Sequence, residues 1–344
     1  MQRGPEGVIT MKIIVDAFGG DNAPLEIIKG CILSRQENPD VEVAMVGSEE
    51  LIRKCADENG LDITPFEIFD APDIITMEDE PTSILKEKKD SSMAVGLRLI
   101  SEDKGDAFVT AGNSGAVVVG ATMIVKRIKG ILRPAFASVM PTSAGPFMLI
   151  DAGANVEVRA EMLRQFGIMG SIYMEKIIGV ENPRVGLANV GTEDHKGGPL
   201  QHEAFELLKK TDLNFIGNIE ARTIPAGCAD VVVADGFTGN VIAKMYEGAA
   251  KELMKKIKGV FYKNAKTKLA ALMIKKELTE MKAYFDYNRY GGAVVMGVKK
   301  PVMKTHGSAN AVAVSAAVRA CAEFVQTGAL DTITRKISDL KAEE

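Results

Sequence analysis

Five stretches of the chain set small residues beside amides, carboxylates or a cation, and each follows a short apolar run. They are A-G-N-S-G-A (111–116), D-A-G-A-N (151–155), N-V-G-T-E-D-H-K-G-G (189–198), D-G-F-T-G-N (235–240) and H-G-S-A-N (306–310). A small-residue loop that opens a helix presents free backbone N–H groups, and a helix N-terminus favours negative charge. One such loop is ordinary turn punctuation. Five at the same edge of one sheet would line a cleft with N–H donors and amides. With Lys196 as a compact positive charge, that cleft suits an anionic nucleophile held against an acyl group. The site would desolvate phosphate, align it with a carbonyl and stabilise the developing oxyanion. A thiolate leaving group needs little protonation, so such a reaction runs largely on positioning.

Each candidate has a plainer alternative. Lys196 is assigned to the phosphate or the oxyanion, against a solvated loop lysine. Asn240 and Asn113 are assigned as amide donors, although asparagine also caps helices well. Ser114 and Gly115 beside Asn113, Gly239 beside Asn240, and Asp151, Asn155, Asn189 and Gly191 complete the candidate phosphate and substrate contacts. Asp16 and Asp235 end strands, where they could orient Lys196 or simply hold loops through backbone N–H groups. Glu193 could pair with Lys196 or face water. His306 is a candidate proton donor because an imidazole can give and take a proton near neutral pH; the alternative is a histidine hydrogen-bonded at a strand end.

Other chemistries lack their signatures. G-x-x-x-x-G-K-[ST], G-x-S-x-G and G-x-G-x-x-G are all absent, which argues against a P-loop hydrolase, a nucleophile elbow and a dinucleotide site. His195, His202 and His306 show no H-x-x-x-H spacing, and Cys31, Cys55, Cys228 and Cys321 form no C-x-x-C pair. No structural metal is expected, and the thiols read as small buried hydrophobes of a reducing compartment. The chain has 344 residues, 46% hydrophobic and 26% charged, ordinary for a globular protein. No apolar run reaches the ~18 residues of a membrane span, and no signal peptide is evident. Residues 1–10, before Met11, read as a tag-like or alternative-start extension.

The elements that must position these loops alternate. Apolar strand-like runs at 11–16, 41–46, 66–69 and 106–110 are separated by helical patterns. Residues 135–139 and 147–151 flank a P-T-S-A-G-P turn and read as a hairpin, so the sheet should be mixed. A long helix is expected from D-A-G-A-N to about residue 178. Late strands near 291–296 and 302–305 precede an alanine-rich helix. This pattern predicts an α/β fold, with a mostly parallel sheet covered on both faces and ligands bound at the carboxyl ends of strands.

Residues 251–282 hold ten lysines and three glutamates, a net +7, which leaves −11 for the rest of a chain at −4. Leu253, Met254, Ile257, Val260 and Phe261 share one helical face. Ile274, Leu278, Met281 and Phe285 mark a second stripe. Residues 251–285 are therefore expected to form a protruding amphipathic helical hairpin. Its contact residues would be Lys255, Lys256, Lys258, Phe261, Lys263, Lys266, Lys268, Leu269 and Leu272. An anionic membrane, an acidic carrier protein and a second subunit all fit it. Nucleic acid does not fit a chain of pI near 5.7 with few aromatics.

G-D-A-F-V-T-A-G-N-S-G-A, I-D-A-G-A-N-V, N-P-R-V-G-L-A-N-V-G-T-E-x-x-K-G, F-I-G-N-I-E and D-V-V-V-A-D-G-F-T-G-N-V resemble the phosphate acyltransferase (PlsX) family of bacterial phospholipid synthesis. V-D-A-F-G-G-D-N-A-P and K-K-D-S-S-M resemble it too, and together the matches run from about residue 11 to 325. The resemblance implies a Rossmann-like α/β/α sandwich, a homodimer, and no metal or organic cofactor. It implies transfer from acyl-(acyl carrier protein) to inorganic phosphate, giving acyl phosphate for a membrane glycerol-3-phosphate acyltransferase. The enzyme would then be cytoplasmic and peripheral to the inner face of the membrane. The family often has asparagine where this chain has Gly198. Competing readings are a short-chain phosphotransacylase using acyl-coenzyme A, a non-catalytic membrane-surface scaffold and an isocitrate-dehydrogenase-like oxidoreductase. The last lacks a cluster of metal-binding aspartates.

Overall fold

The computed structural model describes residues 2–3, 9–284 and 290–343. Strand β1 (Gln2–Arg3) pairs antiparallel with the start of β2 (Ile9–Asp16), so part of the amino-terminal extension adds to the sheet. There follow α1 (Leu25–Glu37), β3 (Val41–Gly47), α2 (Glu49–Glu58), β4 (Glu67–Asp70), α3 (Ser92–Ser101), β5 (Ala107–Thr110) and α4 (Ser114–Gly120). The hairpin is β6 (Ala135–Thr142) with β7 (Gly145–Ile150), antiparallel as expected. Next come α5 (Ala160–Tyr173), β8 (Val185–Asn189), α6 (Pro199–Lys209), β9 (Phe215–Glu220), β10 (Val231–Val233) and α7 (Gly236–Phe261). The chain ends with α8 (Ala265–Met273), α9 (Lys275–Tyr284), β11 (Ala293–Met296), β12 (Val302–Lys304), α10 (Ala311–Gln326) and α11 (Ala329–Glu343).

These strands form one sheet in the order β4-β3-β2-β5-β12-β11-β6-β7-β10-β8-β9. It is mostly parallel, and its inner strands such as β2, β5 and β10 are buried apolar runs, as strands covered on both faces should be. The expectation of five loops at one edge fails, however. β11 is antiparallel to both β12 and β6, and β6 is antiparallel to β7. Three reversals in succession point the parallel set β4-β3-β2-β5-β12 one way and the set β7-β10-β8-β9 the other. The loops holding Asn113 and His306 therefore lie at one edge, and those holding Asp151, Lys196 and Asp235 at the opposite edge.

The two faces differ. On one, α1, α2, α5, α6, α10 and α11 cover a single continuous core. On the other, the apolar packing is split in two. Ile14, Phe108, Phe136, Val295 and Val302 pack under α3 and α4. Met140, Phe147, Leu149 and Val232 pack under the start of α7. The division falls over the central antiparallel strands.

Two further expectations change. The helix after D-A-G-A-N starts only at Ala160. The basic hairpin consists of three helices, because α7 runs unbroken from the sheet edge into the arm, ~39 Å at 1.5 Å per residue. Of the first apolar stripe, Met254, Ile257 and Phe261 line a groove of about 780 Å³ with Leu272 and Leu278. Leu253 and Val260 face solvent at 61% and 64% exposure. Phe285 lies outside the described residues. Among the described residues, no helix is long and apolar enough to cross a membrane.

Candidate active site

A cleft of about 450 Å³ occupies the division in the split face. One row of the sheet crosses its floor, because Lys304 pairs with Ala293 and Ala293 with Ser138. Phe136 and Met140 flank Ser138 on the same face. Ser114, Asp21, His306 and Gly307 reach the cleft from one edge. Ala152, Gly153 and Asn240 reach it from the other, and α7 carries Ala243, Lys244 and Glu247 across it. Four of the five small-residue loops thus touch one space, although they start from two edges.

α7 can lie this close because the residues of its first turn that face the Asp151–Asn155 loop are glycines. A Cβ on Gly236 would sit 2.5 Å from the Asn155 carbonyl oxygen, and one on Gly239 would sit 1.8 Å from that of Asp151. Asp235 caps the helix, accepting from Thr238 N at 2.8 Å and from its hydroxyl at 2.7 Å. Asn240 then stands at the cleft wall, with Nδ2 donating to Ala152 O at 3.2 Å.

Several candidate carboxylates and amides are engaged within their own loops. Asp151 is fully buried. It accepts from Phe136 N at 3.0 Å, Gly153 N at 3.0 Å, Ala154 N at 2.9 Å, Asn155 N at 2.7 Å and Asn155 Nδ2 at 2.8 Å. Burial raises its pKa while those donors oppose the shift. The geometry gives Asp151 and Asn155 the work of shaping the loop. Asp16 is likewise buried, with its pKa raised by burial, and accepts from Thr110 Oγ1 at 2.7 Å and Phe18 N at 3.1 Å. Asn113 caps α4 through Ala116 N at 3.1 Å and donates to Thr76 O at 3.0 Å and Asp79 O at 3.2 Å. It thereby holds Met77 at the cleft mouth. Its neighbour Ser114 lines the cleft, while Gly115 abuts Pro81.

His306 is half-exposed. Ser308 N donates to its Nδ1 at 3.1 Å, so the neutral ring carries its proton on Nε2, which lies 4.0 Å from Glu247 Oε1. Lys196, Asn189, Gly191 and Glu193 lie outside the cleft, two strands beyond β7. Asn189 Nδ2 donates to Lys196 O at 3.0 Å, and Asn218 Nδ2 donates to Glu193 O at 2.9 Å. Gly198 N donates to Gln201 Oε1 at 3.1 Å, which closes the entry to α6.

The cations of the cleft are Lys244 and Lys304 among the described residues, and the motif reading selected neither. Lys304 ends the short strand β12, V-M-K. Its signal is the strand period of two. Val302 faces the split-face core and Met303 the continuous one, so Lys304 points inward again. No group of histidine, cysteine, aspartate and glutamate among the described residues could hold a metal ion.

Comparison with known proteins fits this architecture. The profile of a family described as fatty acid synthesis protein matches residues 11–332. A phosphate acyltransferase of Acetivibrio thermocellus is 45% identical over 334 residues, covering 97% of this chain and 98% of its own. One from Bacillus licheniformis is 46% identical over 335 residues, covering 97% and 100%. Among solved structures, a phosphotransacetylase from Streptococcus pyogenes superposes with a TM-score of 0.62 at 17% identity, over 92% of this chain and 94% of that one. A branched-chain phosphotransacylase from Enterococcus faecalis gives 0.57 at 14% identity, over 92% and 100%. These two show the shared Rossmann-like fold. By identity above 40% along nearly its whole length, the chain belongs to the phosphate acyltransferase family.

Proposed function

We propose that this chain moves an acyl group from the thioester of acyl carrier protein to inorganic phosphate, releasing acyl phosphate and free carrier protein. The observation that carries the reading is the mixed lining of one cleft. Asn240, Ser114, His306 and Lys304 bring amide, hydroxyl, imidazole and ammonium groups, and Met77, Phe136, Val139 and Met140 bring apolar surface. A polar head and an acyl tail can meet there. A phosphate oxygen forms the new bond to the carbonyl carbon, the C–S bond breaks, and the phosphate proton passes to sulfur. Asn240 has a second amide hydrogen beyond the one given to Ala152, and that hydrogen would serve the developing oxyanion. His306 would carry the proton through Nε2. Lys196 is the cation proposed for the other edge.

The acyl phosphate would feed phosphatidic acid synthesis through a membrane glycerol-3-phosphate acyltransferase. The arm would bring the enzyme to an anionic surface at the inner face of the membrane, or to the acidic carrier protein. Lys255, Lys258 and Lys268 rim its groove, and Leu269 and Leu272 are exposed. Phe237, Val241 and Met245 form an exposed apolar stripe at a four-residue spacing on α7, which suits a second copy of the chain. The test is phosphate-dependent consumption of acyl-(acyl carrier protein), with acyl-coenzyme A as the control donor. Acyl phosphate from the carrier-protein donor, largely lost in Asn240→Ala, is the expected result. Turnover of the coenzyme A donor alone would favour the short-chain rival, and turnover of neither would overturn the enzymatic reading.

A further inference from the structure

Lys304 differs from Lys12, Lys88 and Lys300, three other partly buried lysines of this chain. Lys12, Lys88 and Lys300 keep about a quarter of their side-chain surface exposed, and each meets a carboxylate: Glu67 at 2.7 Å, Asp73 at 3.0 Å and Asp103 at 2.8 Å. Lys304 is also partly buried, yet its ammonium donates one hydrogen bond, to Thr305 O at 2.8 Å. Among the described residues no carboxylate lies within ion-pair distance of it. An ammonium has three donors, and a charge withdrawn from water without a partner is costly. The rest of its capacity faces the cleft. Its row neighbours, Ala293 and Ser138, are small and leave the floor beside it open.

We propose that the Lys304 ammonium receives the incoming inorganic phosphate, a further substrate-binding residue for the transfer. The proposal rests on the acyl-to-phosphate reading above and adds the place where phosphate waits. Ionised phosphate supplies the missing counter-charge, and its oxygens can accept both remaining N–H groups. The charged and titratable groups around the space are Asp21 from the loop after β2, His306 from the loop after β12, and Lys244 and Glu247 from α7. Asp21 and Glu247 oppose an anion while Lys244 favours one, so phosphate is held loosely enough to be consumed.

Desolvation lowers the Lys304 pKa to about 8, with Asp21 opposing the shift. The charged form therefore fades as pH rises through that value, and phosphate binding should weaken above it.

The experiment is calorimetric titration of the full chain with inorganic phosphate, beside steady-state kinetics. Lys304→Met keeps the length and removes the charge. Its phosphate Kd and KM should rise about 10- to 100-fold, the loss of a charge-assisted hydrogen bond. The KM for the acyl donor and the thermal midpoint should hold. Lys304→Arg should recover part of the affinity and remove the weakening above pH 8, and it serves alone if the methionine variant does not fold. Wild-type phosphate affinity in Lys304→Met overturns the proposal, as does loss of phosphate binding in Lys196→Met alone. Phosphate binding that depends on Lys304 without any acyl transfer would sink the reaction and leave the anion site standing.

Discussion

The first turns of α7 and its last turns belong to one helix but to two environments. The first turns are pressed onto the sheet. Gly236 and Gly239 are buried, Asn240 and Ala243 look into the cleft, and the Tyr246 hydroxyl donates to Pro141 O at 2.6 Å. Beyond residue 250 no residue of α7 is buried, and α8 contains none either. The near part is held by backbone contact that admits no side chain, and the far part by its own hydrogen bonds and a shallow apolar groove. Substitutions should therefore act on fold and chemistry near the sheet, and on neither in the arm.

The strongest challenge is Gly239→Ala. Its new Cβ would meet the Asp151 carbonyl at 1.8 Å, and backbone cannot swing aside as a side chain can. We expect a loss of about 3 kcal/mol in urea unfolding, with activity falling alongside. Full activity and an unchanged midpoint would show that the helix start is not pinned.

Asn240→Ala separates chemistry from folding at the next position. A drop of about 100-fold in kcat is expected, as for removal of an oxyanion donor. The loss of its bond to Ala152 should cost about 1 kcal/mol or less.

Asp235→Ala should cost about 1 kcal/mol through the lost cap, read as a lower thermal midpoint with kcat nearly intact. A larger fall in kcat than in stability would return Asp235 to the chemistry.

Leu272→Ser is the smallest case. At 68% exposure it should shift stability by no more than about 0.5 kcal/mol and leave kcat unchanged, with any effect on the carrier-protein donor confined to KM. A marked destabilisation in the isolated chain would mean that the arm folds as part of the core.

Much of this was legible in the sequence because local chemistry decided it. Small-residue loops after β-branched runs became strand-to-helix turns, the P-T-S-A-G-P turn closed the predicted hairpin, and Asp235, Asn113 and Asn310 cap the helices they precede. Strand direction was not legible. β12 pairs with β5 and β11 with β6 across more than a hundred residues, and nothing local to V-M-K or A-V-V-M records the reversal. Lys304 was missed for the same reason, since a lysine at a strand end looks solvated until the neighbouring strands are known. Asp151 stood out by its place in a small-residue loop, but five donors from its own surroundings meet its carboxylate, a network no local pattern reveals. Lys196 is the counterpart, conspicuous in its motif yet outside the cleft.

The central pair of strands also sets an order of assembly. β5 and β6 are made early, yet in the finished sheet β12 and β11, residues 293–304, stand between them. While the chain is being synthesised, each of these two strands shows a bare hydrogen-bonding edge, the kind that recruits unwanted partners. The strands that cover them also bring the floor of the cleft, Ala293 and Lys304. Sealing the sheet and completing the cleft are thus one event, and the nascent protein gains the floor of its candidate site only when its vulnerable edges disappear.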